Sequence, residues 1–246
     1  SSSITIYLGF VTKTTNLLSS SGTTGIGEAP QLSSTYAKYD DGANVFSYYT
    51  NFAGTALPSG WTSTYWNGSV DNGITLTSSA DWGGVYTSLS LSNDIVAETY
   101  GYETSHQAFC IFITTGAPTG GSSWPPTSGY GYAIDNDGSG RYDIEKLSSG
   151  SGTTLASNTF TTSLNTYYLF SGYWDSTNLA QTVNYTNRLS ASDSTYSSTS
   201  YLGLEVWSGA SWTLHWLRAR AYPPNGVMPS VSFGTVSSVA GYQISF

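Results

Sequence analysis

Charge is scarce in this sequence. Only 9% of its 246 residues are Asp, Glu, Lys or Arg, against roughly a quarter in ordinary globular chains. The cations are three lysines (Lys13, Lys38, Lys146) and four arginines (Arg141, Arg188, Arg218, Arg220), and the net charge is −8. Such a chain has no stripe that could neutralise phosphates, which argues against nucleic acid as a partner. Its single cysteine, Cys110, excludes a disulfide within the chain. Lying in the apolar run AFCIFIT, it reads as a small buried hydrophobe. With His106 and His215 the only histidines, the usual ligands of a zinc site are missing. No apolar run reaches the ~18 residues of a membrane-spanning helix. Phosphate-binding glycine loops and a Gly-x-Ser-x-Gly elbow are absent as well.

Hydroxyl groups take the place of charge. Ser and Thr make up about three residues in ten, and 20 Tyr, 8 Trp and 9 Phe supply material for a core. That aromatic content separates the chain from disordered polar sequences. Helical periodicity is nearly absent, and short alternating runs recur between Gly, Ser, Asn and Pro clusters. GVYTSLSLS (84–92), IVAETYGYE (95–103), AFCIFITTG (108–116), GYGYAID (129–135) and RYDIEKL (141–147) read as strands. So do NTYYLFSGYW (165–174), NLAQTVNYT (178–186), YLGLEVW (201–207) and SWTLHWLRARAY (211–222). Strands at this spacing form an antiparallel sandwich or barrel. NDGSG (136–140) fits a hairpin turn between two of them.

Three zones follow. Residues 1–35 hold an opening strand and an aperiodic small-residue linker. Residues 36–222 are the strand-rich body, and 223–246 are a tail that resumes alternation at Val231 and Phe233 after three prolines. Few lysines, many hydroxyls and an acidic balance suit an extracellular setting at a cell surface, and the chain reads as a mature or excised piece.

Several stretches resemble a family of archaeal secreted and surface proteins in which a small β-domain of unknown function leads into a concanavalin A-like (laminin-G-like) jelly roll. SSSITIYLGF resembles the last strand of the first domain, and NVFSYYTNFAGTALPSGW (44–61) the entry into the jelly roll. WLRARAYPP with PSVSFG (216–224, 229–234) resembles the closing strand and exit. The resemblance implies an all-β fold, a concanavalin A-like jelly-roll β-sandwich with strand-like N- and C-terminal extensions, on the outside of an archaeal cell. Thr50 and Asn51 stand where that family usually carries an acidic pair.

β-Glucanases of this fold carry Glu-x-Asp-x-Glu on one strand face. The nearest counterpart is Arg141, Asp143 and Glu145, which share a face by the two-residue period. A retaining glycosidase needs both a nucleophile and an acid, so an arginine in the first place predicts a non-enzymatic protein with a surface Arg–Asp–Glu ladder. His215 is expected to point opposite Trp212, Leu214 and Trp216. Calcium is the metal left open: Asp135, Asp137 and Asp143 supply hard oxygens around one turn, although such turns also form without metal. No other cofactor is implied. Trp124, Tyr130 and Tyr132 flank a stiff Pro–Pro step and could stack on a sugar ring. Asn67 and Asn184 fit the N-x-S/T acceptor pattern for glycosylation.

The opening strand raises a last possibility. Ile4, Ile6, Leu8 and Phe10 alternate with Thr5, Tyr7 and Gly9, and an unpaired strand leaves bare backbone groups. Donated to a neighbouring copy, it would bury those four side chains in alternate pockets and link copies head to tail. The first expectation is therefore a glycosylated filament or sheath subunit joined to itself by strand exchange. The alternative is a lectin-like carbohydrate-binding or adhesive module whose partners are glycans.

Overall fold

A computed structural model describes residues 46–222, except 93, 123, 125–128, 137–139 and 176. The strand-exchange residues Ile4, Ile6, Leu8 and Phe10, the tail alternation and Asp137 lie outside the described residues. Within them there is no helix, and fifteen strands follow one another. They are β1 (Tyr48–Thr50), β2 (Trp61–Thr64), β3 (Ser69–Val70), β4 (Ile74–Leu76), β5 (Trp82–Ser92), β6 (Ile95–Glu103), β7 (Phe109–Thr114) and β8 (Tyr130–Asn136). The series continues with β9 (Arg141–Ser148), β10 (Ser151–Thr159), β11 (Tyr168–Trp174), β12 (Asn178–Val183), β13 (Thr186–Ser192), β14 (Ser198–Trp207) and β15 (Trp212–Ala221).

Two antiparallel sheets form a sandwich. The eight-stranded sheet runs β13-β12-β11-β6-β15-β4-β3, with β1 also paired to β15. The seven-stranded sheet runs β10-β9-β8-β7-β14-β5-β2. Sequence neighbours β5 and β6 sit in different sheets, as do β13 and β14, so the chain crosses between layers as a jelly roll does. All nine strand runs expected from alternation are present. β1 to β4, β10 and β13 are additions to them; the sequence of β10, SGTTLASNT, is exposed along most of its length, so no apolar period marks it.

The core lies between the sheets, where alternate residues meet. Trp212 of β15 stacks on Phe109 of β7 at 4.6 Å between ring centroids, and Phe170 of β11 meets Trp212 edge-on at 5.2 Å. Tyr132 of β8 packs edge-on against Trp174 of β11. Rings at these separations add ~0.5–1.5 kcal/mol per pair beyond their burial.

Local turn chemistry fixes the hairpins. Asn184 and Tyr185, at φ 50° and 63°, form the two-residue turn between β12 and β13, whose twist requires positive φ at both positions. β8 and β9 pair as the hairpin expected around NDGSG, from Asn136 opposite Tyr142 to Tyr130 opposite Ser148. One register shift corrects the expectation for β15. His215 is the extra residue of a bulge between Leu214 and Trp216, and a bulge swaps the face of everything beyond it. Trp216 therefore turns away from Trp212 and Leu214 and packs with Leu169 on the outer face of the eight-stranded sheet.

Candidate functional site on the outer face of the seven-stranded sheet

Strand alternation sends half of each strand away from the core, and on the seven-stranded sheet that outer half is unusual. On β7, Phe109, Ile111 and Ile113 enter the main core while Cys110 and Phe112 belong to a separate cluster on the other face. The same division on β14 puts Leu202, Leu204 and Val206 inside and Gly203, Glu205 and Trp207 outside. β8 turns Ala133 and Asp135 outward, and β9 turns Asp143 and Glu145.

Register lines these residues up. Glu205 is opposite Cys110, Cys110 opposite Asp135, and Asp135 opposite Asp143. Directly opposed residues stand ~4.5–5.5 Å apart, so one row across four strands carries three carboxylates and a thiol. In the next row Glu145 lies opposite Ala133, which lies opposite Phe112. At the end of the face Trp82 pairs with Trp207. Trp82 contacts Trp207 at 5.3 Å and Trp124 at 4.3 Å between ring centroids. Trp124 Nε1 donates to Glu145 Oε2 at 2.5 Å, which ties the indole cluster to the carboxylates. Trp124, Trp207 and Tyr86 are half-buried at the margin of the cluster. Gly84, opposite Glu205, has no room for a side chain: a Cβ there would meet Glu205 Cγ at 2.8 Å and the Leu204 carbonyl at 2.0 Å.

The electrostatics are lopsided. Glu205 is fully buried, Asp143 1% exposed, Asp135 5% and Glu145 8%. Arg141 donates to Asp143 Oδ2 at 2.9 Å through Nε and 2.7 Å through its terminal nitrogen. Among the described residues neither oxygen of Glu205 has a hydrogen-bond partner, and Asp143 Oδ1 and Trp82 Nε1 have none either. Burial pushes the Glu205 carboxyl well above the ordinary range. It raises Glu145 as well, with the charge of Asp143 adding and the Trp124 N–H and Arg141 opposing. Cys110 is driven up by burial and then by the charges of Asp135, Glu205 and Glu145, so it is the inert thiol expected.

The residues singled out from the sequence are redistributed. The Arg141–Asp143–Glu145 face exists, but only Arg141 is at the surface; Asp143 and Glu145 are covered, correcting the expected surface ladder. Asp135 and Asp143 do come together as a cross-strand pair. Among the described residues no group of three or more His, Cys, Asp and Glu is arranged to hold a metal ion. The sugar platform of Trp124, Tyr130 and Tyr132 does not form as one surface. Tyr132 is fully buried on the core face and donates to Asp193 Oδ1 at 2.8 Å. Tyr130, 45% exposed, leans toward Tyr196 on that same side, whereas Trp124 belongs to the opposite face. Asn67 and Asn184 are both exposed.

The missed residues are Glu205, Trp207 and Trp82. Their signal was in YLGLEVW, where Gly203, Glu205 and Trp207 interleave with Leu202, Leu204 and Val206: a lone carboxylate in an apolar strand.

The sequence matches no protein-family model and no curated protein. Solved structures do match. The fold is a concanavalin A-like jelly roll. Carbohydrate-binding module CBM66 from Bacillus subtilis aligns at TM-score 0.52 and 16% identity, over 66% of this chain and 96% of that one. The Bacillus licheniformis β-glucanase aligns at 0.53 and 13%, over 70% and 97%. The exoplasmic/lumenal domain of VIP36, bound to Ca2+ and mannose, aligns at 0.54 and 11%, over 74% and 93%. At these identities the likeness is one of fold, and it supports the sequence resemblance at the level of the jelly roll.

Proposed function

We propose that this domain binds carbohydrate on the outer face of its seven-stranded sheet, in an extracellular setting. The observation that carries the reading is the unpartnered donor and acceptors on that face. Trp82 Nε1 and both Glu205 oxygens lack partners and sit on adjacent strands as diagonal neighbours, ~7–8 Å apart at the backbone. A sugar hydroxyl accepts one hydrogen bond and donates another, so a single ring satisfies both kinds of group, while the indoles offer flat apolar surface to its C–H face. Buried polar groups left without such a partner cost ~1–3 kcal/mol each.

Neighbours that bind sugar, a carbohydrate-binding module and a mannose-bound lumenal domain, support this reading over head-to-tail assembly. Binding without cleavage is part of it. Asp143 is tied to Arg141, and Arg141 fills the place where a third same-face carboxylate would stand on β9. The exposed acceptors Asn67 and Asn184 and the hydroxyl-rich composition fit the extracellular setting and glycosylation of the chain itself.

The test is a glycan screen followed by calorimetry with the native chain, Trp124→Ala and Trp207→Ala. Retention of at least one glycan by the native chain, weakened at least tenfold by either substitution at unchanged fold, is expected. Binding unaffected by both changes would place the site elsewhere. Release of reducing ends by the native chain would overturn the non-catalytic part.

A further inference from the structure

We infer that the ligand of this face carries a protonated amine: a glycan containing deacetylated amino sugars, in preference to neutral or acidic ones. The inference rests on the carbohydrate reading and adds the charge of the ligand to it.

Asp135, Asp143, Glu145 and Glu205 lie on one face of β8, β9 and β14, and Arg141, bound to Asp143, is the cation beside them. The other cations among the described residues are committed elsewhere. Lys146 points to the opposite face of β9 and pairs with Asp193 at 2.9 Å. Arg188 lies over the ring of Phe160 at 3.8 Å. Arg218 and Arg220 both bind Glu98 on the other sheet, at 2.7 and 3.0 Å. His106 lies beside Glu103 at 3.3 Å, and His215 beside Tyr167 at 3.0 Å. One guanidinium stands beside four carboxyl groups, and burial raises two of them, Glu205 and Glu145, so an incoming cation is what would favour their ionised forms.

Glu205 is the second, independent observation. It is fully buried, with both oxygens unpartnered, so in the free protein it stays protonated, and an arriving counter-charge is what would let it ionise. An ammonium group supplies both the charge and N–H donors. Its other contacts are ready too, because indole faces attract cations within ~6 Å of the ring, and Trp82, Trp124 and Trp207 form one cluster beside the acid row. A neutral hydroxyl would fill the hydrogen bonds but give the carboxyl no counter-charge with which to ionise. A uronate or sialyl group would add a like charge and be repelled.

The experiment is calorimetry on the full chain with four short oligomers of equal length, made of glucosamine, N-acetylglucosamine, glucose and galacturonate. A tetralysine peptide controls for simple attraction to a protein of charge −8. The glucosamine oligomer is expected to bind at least tenfold tighter than the acetylated and glucose oligomers, with no binding of galacturonate. Glu205→Gln should shrink that preference to about twofold or less, read as the ratio of glucosamine to glucose affinity within the same variant. Equal or tighter binding of a neutral or acidic oligomer, or tetralysine binding as tightly as glucosamine, overturns the inference and leaves the carbohydrate reading standing. Binding of none of these oligomers, nor of any glycan in the wider screen, overturns both.

Discussion

Replacing Glu205 by methionine should stabilise this protein, and by an amount that depends on pH in a defined way. Methionine keeps the same first carbons, so the close fit of Cγ over the bare backbone of Gly84 is preserved. What disappears is a buried polar head with no partner, worth ~1–3 kcal/mol even when protonated. Above pH ~4.5 a second contribution begins. The unfolded Glu205 ionises near its ordinary value while the folded one, raised well above it by burial, stays protonated. The folded state then holds one proton more than the unfolded state, so native stability falls by ~1.36 kcal/mol per pH unit until the folded carboxyl also ionises. A thioether has no proton to hold, so Glu205→Met removes this dependence. The difference between variant and native stability should therefore be smallest at pH 4 and widen steadily toward neutrality. Each kcal/mol raises Tm by ~2–4 °C in a domain of this size, so thermal melts across pH 4–8 resolve the trend. Parallel curves for the two proteins would refute the reasoning, as would a lower Tm for the methionine variant at pH 7. Either would mean that Glu205 has a partner after all.

Other consequences can be checked with the same melts. Glu98→Gln should cost ~3–5 kcal/mol, because it strands two largely covered guanidiniums. Burial alone would raise the Glu98 carboxyl, but Arg220 and Arg218 hold it below the ordinary range. Its contribution is thus complete above pH ~4.5 and lost as pH falls through the lowered value, opposite in sign to that of Glu205. Gly203→Ala should cost ~1–3 kcal/mol by overpacking, since the new Cβ would lie 2.2 Å from the Phe112 ring. Adding Phe112→Leu should recover part of that loss, whereas additive losses in the double variant would show that the clash is not with that ring.

Much of the fold was legible because period-two alternation is a strong signal where one face is apolar. β15, WTLHWLRARA, shows it, while β7, FCIFIT, was legible as a short apolar run buried on both faces. β10 was not, because its side chains are mostly exposed and its register comes from pairing with β9, which no apolar period announces. The bulge at His215 was equally hidden: nothing in HWL marks which residue is extra, and Trp216 changes face as a result. At the site, Asp143 and Glu145 were visible as a same-face pair on one strand. Their neighbours Asp135, Cys110 and Glu205 come from β8, β7 and β14, which are adjacent only through the sheet order. Tyr132 departs from expectation for a simpler reason: alternation in the strand GYGYAID does not say which face meets the core, and as the third residue of β8 it lies on the core face.

Glu98 and Glu103 are as deeply buried as Glu205, and comparing the three shows what is peculiar about one. Glu98 receives Arg218 Nε at 2.7 Å, Arg220 at 3.0 Å through two nitrogens, and Ser171 Oγ at 3.2 Å. Glu103 accepts from the Thr162 hydroxyl and lies beside His106. Glu205 receives nothing at either oxygen. The fold is therefore able to supply partners to buried carboxylates and does so twice. Around Glu205 the flanking residues are Gly84, Gly203, Cys110 and Phe112, which bring no strong side-chain donor and no cation. A core position of this kind would be better served by leucine, as at Leu204 one residue earlier. A buried carboxyl group that costs stability in the free protein is understandable when its partner comes from outside, because the ligand then finds a polar group already desolvated and held in place. The same feature that should make the Glu205→Met protein more stable is the one that should make it unable to tell an amine from a hydroxyl.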